Sequence, residues 1–542
     1  MKGSRFAIVV LVVAFGAALA HVLSLGRGGA AGNRKVIRMV HWQLETGIGE
    51  AIEEVATEYS KLHPDVVIQQ IPISERGYGS WVTTRLIGGT APEIIEMGMI
   101  PGVQFGQLLL RYFEPLSEEI LKPNPYNAGT PLAGIPWKDT YYDGMQGGFI
   151  PELLEYYGVP ASGFTIRLFY NKTKLRELTG LDRPPGDFRE FLRTCELIKE
   201  KGRAAGQVLV PIAGAGRYNT KLMFGRFDTV LSATFYNTVD TNLDGEVSDE
   251  ERAAALVGGM VNFRDPRLAA TFRARELLIP QFQPSFAQAD RMDAAFLFIQ
   301  QKALMIASGS WDAASYARQA DFEIGICDFA MPSSSDPEFG KFIVGREAED
   351  LSGAFSFGLN RRSAHPGVAL DFLKFMSSKP MNDLMNRRIQ WIPMIRGNLP
   401  APFIEPFWPR LRGVRRGMSL SIGPRNDIAN EELMNLHACG RLDYEGYLAR
   451  FLPLFTRNTD EYFRMDRARD HQLSFNQDEI RLAYERSVER LGAPPSSRAR
   501  ALAEGLLSRR FSAFESLRRY EDARGHTKLP APLDPAHEIP NR

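Results

Sequence analysis

Between Val36 and Gly98 apolar runs of two kinds alternate, and that order constrains the fold more than any other stretch. Val36–Trp42 is a short β-favouring run bounded by Gly32-Asn33 and Gly47. Ile48, Ile52, Val55, Ala56, Tyr59 and Leu62 then recur at spacings of three and four, one face of a helix. His63-Pro64 stops that helix, because the residue before a proline is driven out of helical geometry. Val66–Ile73 reads as a second strand, Ser80–Ile87 as a second helix ending at Gly88-Gly89, and Ala91–Glu96 leads into a third strand. Such an order predicts an open, mostly parallel α/β sheet. Ligands of these sheets sit beyond the carboxyl ends of the strands. Trp42 and Glu45 follow the first strand and Glu96 closes the third, so these three are candidate ligand contacts.

The chain has 542 residues, 44% of them hydrophobic, enough for two or more domains. A formal net charge of +1, with acids and bases interspersed, excludes nucleic-acid binding as the main function, since no basic excess is available for phosphates. Cys195, Cys327 and Cys439 are odd in number and far apart; they give no disulfide framework or zinc spacing and read as buried, inert thiols. Residues 1–35 carry Lys2 and Arg5, an apolar run from Phe6 to Ala20, the cleavage pattern Ala18-Leu19-Ala20 and a Gly-rich spacer. Read on to Leu25, the same run is long enough for an uncleaved membrane anchor. Either reading places the remainder outside the cytoplasm.

Asp240–Glu251 matches the calcium loop of an EF-hand. Asp240, Asn242 and Asp244 supply side-chain oxygens, Gly245 permits the sharp turn, Glu246 offers its carbonyl, Ser248 acts directly or through water, and Glu251 binds at the last position. The flanks, Arg226–Tyr236 and Glu250–Val261, are helix-compatible, which defines an insertion over about 226–262 holding one calcium ion as a structural clip. No arrangement for catalysis emerges: Ser308-Gly309-Ser310 lacks a nucleophile-elbow context, eight histidines show no metal spacing, and no phosphate loop occurs. An enzyme reading lacks the residue arrangement it needs, although paired acids of a polysaccharide-acting enzyme would leave no spacing to read.

Further segments follow in a recognisable order. Tyr59–Pro64 and Gly88–Glu93 are followed by Phe164–Lys172 closing on Tyr170-Asn171-Lys172, then Pro184-Pro185 with Phe188 and Phe191. Lys302–Trp311, Ile324–Pro332, Gly353–Asn360, Ala369–Ser378 and Ile392-Pro393 come after. This set resembles the extracellular solute-binding proteins of ABC importers, sugar-binding type (family 1), over roughly residues 36–455.

The resemblance implies a two-lobed periplasmic-binding-protein fold of type II, α/β, with three interlobe crossovers placed at Tyr170, Trp311 and Gly353–Asn360. It implies a first lobe of 36–166 with 312–352, a second of 167–311 with 353–455, and leaves 456–542 as a helical extension (Glu479–Leu491, Ser497–Tyr520) with a disordered tail. Pro151–Tyr157 reads as helical. Trp311 matches the family's stacking tryptophan and Trp408 loosely its second-lobe platform; Trp42, Glu45, Glu96, Tyr170 and Asn171 complete the candidate ligand site. Other aromatics, Trp81, Trp137, Tyr141 and Trp391, read as core, and Arg346, Asp350, Asp139 and Asp143 as surface groups. Function, on this resemblance, is monomeric capture of a carbohydrate by hinge closure and delivery to a membrane permease. A membrane-anchored sensor or scaffold using the same clamp is the alternative.

Overall fold

The computed structural model describes residues 34–464, apart from 46, 101–104, 151, 152, 154, 244–246, 350, 351, 415, 416 and 418–421, together with 515, 518–522, 524 and 525. The expected leader, Glu479–Leu491, most of Ser497–Tyr520 and the tail lie outside the described residues. No helix among the described residues is long and apolar enough to cross a membrane.

The first sheet holds β1 (Lys35–His41), β2 (Val66–Pro72), β3 (Ile94–Glu96), β6 (Val159–Phe164) and β11 (Ser352–Leu359), in the order β2-β1-β3-β11-β6. β1 runs parallel to β2 and β3, as the opening pattern requires, and β11 is antiparallel to both its neighbours. Helix Ile48–Leu62 buries Ile48, Ile52, Val55 and Tyr59, the spacing seen in the sequence. Its end is fastened by Asp371 of helix Pro366–Met376, which accepts hydrogen bonds from the Tyr59 hydroxyl at 2.7 Å and the Tyr126 hydroxyl at 2.6 Å. The second helix, Glu75–Ile87, starts five residues before the expected Ser80. Pro151–Tyr157, expected helical, contains instead β5 (Glu155–Tyr156), paired with β4 (Phe149–Ile150). The Leu116 amide donates to the Tyr156 carbonyl at 2.8 Å, so extended pairing on both sides wins over local helix preference.

The second sheet holds β7 (Ile166–Asn171), β8 (Val210–Ala213), β9 (Ala303–Gly309) and β10 (Ile324–Cys327), in the order β10-β7-β9-β8. Helix Phe188–Ala204 covers it with Phe188, Phe191, Cys195 and Ile198, and the Asp187 side chain caps its start by accepting from the Glu190 amide at 2.9 Å. Helices Pro424–Ala438 and 444–464 add an aromatic layer: Phe272 meets Tyr447 at 4.7 Å and Phe263 meets Phe455 at 4.9 Å. The Tyr520 ring rests on Phe463 at 4.8 Å, so part of the C-terminal extension belongs to this lobe.

Two expectations about the lobes are corrected. β9 does not cross between them; it lies between β7 and β8, and β10 returns to pair with β7. Residues through Cys327 therefore stay with the second lobe. β11, expected in the second lobe, pairs with β3 and β6 in the first, and helices Pro366–Met376 and Lys379–Ile389 follow it there. The chain crosses at Thr165, between β10 and β11, and again between Ile395, bridged to Tyr141 of the first lobe, and Phe407, packed on Phe169 of the second. Three crossings remain, at other places. Of the thiols only Cys195 is fully buried, where burial pushes it well up; Cys327 is half-buried and Cys439 exposed.

Phe169 stands fully buried on β7, against Tyr316 at 5.1 Å and Phe407 at 5.3 Å. Phe169→Ala removes the contact that joins sheet, helix and third crossing, and is expected to cost about 3–5 kcal/mol, read as a lowered urea midpoint.

Candidate functional site

The first lobe's contribution is built where β1 and β3 end side by side. Their parallel pairing brings the loop after His41 against Glu96, whose carboxylate accepts from the Trp42 amide at 3.0 Å and from Gln43 Nε2 at 2.8 Å. Glu96 is almost wholly buried, and burial pushes its carboxyl up to about 8; the two hydrogen bonds offset this only in part, and Glu45 nearby adds to it. At neutral pH the group is mainly a neutral acid, able to donate as well as accept. His41 beside it is buried, its Nδ1 3.0 Å from the Gln43 carbonyl, and burial holds its pKa down. Glu45 is half-buried, one carboxylate oxygen is sealed from solvent without a hydrogen-bond partner, and burial raises its pKa. The Trp42 indole N–H is likewise sealed without a partner.

The second lobe answers from the end of β9. Gly309 makes room for the ring of Trp311, since a Cβ there would lie 2.3 Å from the indole. The half-buried indole sets an edge against Phe164 at 5.1 Å, and its N–H lies by the Tyr218 hydroxyl without reaching hydrogen-bond geometry. Asp312 follows directly. It is held by Arg291 at 2.5 Å and by the Ser308 hydroxyl at 2.5 Å, while Arg291 lies over the Tyr218 ring at 4.9 Å. Arg291 and Asp312 of the second lobe act on the titration of Glu45 in the first, Arg291 lowering and Asp312 raising it against the larger effect of burial.

Trp42, Glu45 and Glu96 share the ends of β1 and β3, and Trp311 with Asp312 stands just beyond the end of β9. Tyr170 and Asn171 lie elsewhere. β7 pairs Ile166 with Gly309, near Trp311, and its far end carries those two residues. The Tyr170 ring covers Gly325 on β10, where a Cβ would lie 2.0 Å from it. Asn171 caps helix Lys172–Thr179, accepting from the Lys174 amide at 2.8 Å. Both serve the fold. Trp408 stands at the third crossing, its ring edge-on to Tyr142 at 5.1 Å and its carbonyl accepting from Arg167 at 3.1 Å. Trp137, Tyr141 and Trp391 are core, as expected. Gln43, Tyr218, Arg291 and Asp312 were missed. Tyr218 follows the Gly-rich stretch after Ala213 and Asp312 adjoins Trp311, signals of place that carry no chemistry by themselves.

Helices Asn219–Val239 and Asp249–Val257 flank the loop, where the sequence suggests Arg226–Tyr236 and Glu250–Val261, and the first of them packs Met223, Phe227 and Leu231 into the second lobe's core. The buried Glu251 carboxylate accepts from the backbone amides of Thr241, Asn242 and Ser248, and Ser248 Oγ accepts from the Glu251 amide at 3.1 Å. Asp244 and Glu246 lie outside the described residues. Among those described, no three acidic, histidine or cysteine side chains converge on one point.

A family model described as bacterial extracellular solute-binding protein matches residues 42–383. The chain belongs to that family. No curated protein matches it in sequence. This solute-binding protein is similar in structure to a chitin oligosaccharide binding protein (TM-score 0.54, 15% identity, covering 79% of this chain and 100% of that one). It is also similar to maltose-bound T. maritima MalE3 (TM-score 0.54, 15% identity, 78% and 99%) and to RafE in complex with raffinose (TM-score 0.51, 17% identity, 78% and 99%). These likenesses establish the two-lobed fold.

Glu96 gives this solute-binding protein a pH signature. Its folded pKa is raised, so the folded state holds a proton the unfolded chain has lost; the stability this contributes is present below about 4.5 and is lost as pH rises toward about 8. Melting temperatures of the native chain are expected to fall relative to Glu96→Gln across that window, and parallel curves would refute the assignment.

Proposed function

We propose that this protein captures a sugar or oligosaccharide outside the cytoplasm by closing its two lobes and hands it to a membrane permease. The observation that carries the reading is the cleft itself. Half-buried Trp42 and Trp311 stand at strand ends of opposite lobes, with the carboxyl groups of Glu96 and Glu45 close to the first and of Asp312 next to the second. Sugars present C–H faces that pack on aromatic rings and a rim of hydroxyls that pair with carboxylates. The Trp42 N–H and one Glu45 oxygen have no hydrogen-bond partner in this arrangement, and opening of the lobes would let ligand hydroxyls reach them. The carbohydrates named for the similar structures, chitin oligosaccharide, maltose and raffinose, support the class. Permease delivery, export through residues 1–35 and action as a monomer follow from the family pattern rather than from the cleft. Closure requires only that the ligand favour the closed arrangement.

The decisive measurement is tryptophan fluorescence titrated with chito-oligosaccharides, maltotriose and raffinose. A saturable change is expected for at least one, and Trp311→Ala should weaken it by about tenfold or more, the scale of losing an aromatic platform. Retained affinity in Trp311→Ala would remove that residue from the site.

We also propose that the loop Asp240–Glu251 binds one calcium ion through Asp240, Asn242, Asp244, the Glu246 carbonyl, Ser248 and Glu251. The frame fits: two helices flank the loop, and Glu251 turns its carboxylate inward, onto amides from both loop ends. When bound, the ion would replace those amides as the partner of the carboxylate and pin the helices. Calcium is expected to raise the melting temperature, chelation to lower it, and Glu251→Gln to abolish the difference. A melting curve indifferent to calcium would exclude the site.

A further inference from the structure

Arg167, the second residue of β7, is one of the largest fully buried side chains and is 2% exposed. Its guanidinium makes a bidentate pair with Glu349, Nη1 to Oε1 at 2.5 Å and Nη2 to Oε2 at 2.9 Å. It also donates to the carbonyls of Pro406 at 2.7 Å, Ile166 at 2.8 Å and Trp408 at 3.1 Å, and lies 2.9 Å from Asp328. These partners belong to all three crossings: Ile166 follows the first, Asp328 and Glu349 lie on the second, Pro406 and Trp408 on the third. Further pairs surround the centre. Arg410 reaches Asp328 at 2.5 Å, and its amide donates to Glu349 at 3.0 Å. Arg226 of helix Asn219–Val239 reaches Glu347 at 2.8 Å and Glu349 at 3.4 Å. The backbones join as well, Ala348 N–H to Val414 carbonyl and Val414 N–H to Arg346 carbonyl, both 2.8 Å.

A buried ion pair is a poor device for stability alone, because desolvation cancels much of the attraction; in some proteins its role is instead to select one geometry over its alternatives. Here the geometry is that of the connections between two lobes. Three separate strands of chain allow sliding and splaying as well as rotation. Three strands fused into one block on the second sheet leave bending only where the chain leaves the block toward the first lobe.

We propose that the Arg167–Glu349 pair is the pivot of lobe closure, a pair of positioning residues that fuses the three crossings so that the lobes turn about one axis. This rests on capture by closure, and its test needs no ligand, so it fails separately from the sugar reading.

The full-length chain carries spin labels at Glu54→Cys in the first lobe and Lys201→Cys in the second, both exposed, with Cys327→Ser and Cys439→Ser. Electron–electron distance distributions are compared with and without Arg167→Met plus Glu349→Leu. That double change removes both charges and leaves Arg226 with Glu347 and Arg410 with Asp328. Apolar replacement of both partners of a buried pair is commonly tolerated. The distribution is expected to broaden roughly twofold, a readout that lost stability in a folded protein would not move. Arg410→Gln, half-exposed, is expected to broaden it by a smaller amount and decides the matter if the double variant does not fold. Distributions as narrow as the parent's in a folded double variant, or in Arg410→Gln when the double variant does not fold, overturn the proposal.

Discussion

The first sheet cannot be completed by the first part of the chain. β3 and β6 both lie next to β11, which arrives from a segment beginning at Ser352, after the whole central part of the second lobe has been laid down. Every other long-range feature follows from that insertion. The chain must leave the first lobe at Thr165, build a second sheet, and return, and the helices after β11 then pack on the first lobe before the chain leaves again. Two lobes that share a chain in this way cannot separate, yet nothing in their sheets is common to both. Relative motion is what the topology leaves free.

The cost of that freedom is concentrated at the crossings. Extended connections between lobes carry backbone donors and acceptors with no sheet to satisfy them. In this protein Arg167 supplies five donors in a fixed fork and satisfies carbonyls from two of the crossings, while Glu349 supplies the compensating charge. Burial alone would raise the Glu349 carboxyl; Arg167 and Arg410 more than offset it and hold it below the ordinary carboxylate range. Glu347, two residues away, is raised, because its burial is not fully offset by Arg226. Two neighbouring acids thus titrate in opposite directions: Glu349 has the bidentate Arg167 and the Arg410 amide, while Glu347 also feels the charge of Glu349.

Local pattern made part of this legible. The β1-to-β3 unit, the helix Phe188–Ala204 and the core positions Trp137, Tyr141 and Trp391 all follow from periodicity and composition, and Trp42, Glu45 and Glu96 follow from the rule that ligands sit beyond strand ends. Sheet membership was a different matter. Whether β10 joins β7 or β11 joins β3 is decided by partners more than 150 residues apart, and an apolar run carries no mark of its partner. Nothing in the run Phe164–Lys172 marks Arg167, since its partners are Glu349, far along the chain, and backbone carbonyls, which every residue has. Tyr170 and Asn171 drew attention for the opposite reason: a conspicuous pair of residue types whose work is covering Gly325 and capping a helix.

The cleft and the crossings meet through β7 and β9. Ile166, next to Arg167, pairs with Gly309, and Gly309 is the floor under the Trp311 ring. The Trp311 ring is therefore held a few residues from the Arg167 network, while Trp42 with Glu96 is held on the parallel core of the first lobe. A small rotation about the crossings changes the gap between those two surfaces without disturbing either. For the capture proposed above, a ligand touching both lobes would favour one closed state, since each strand-end cluster is held by its own sheet and the distance between the two is what closure would set.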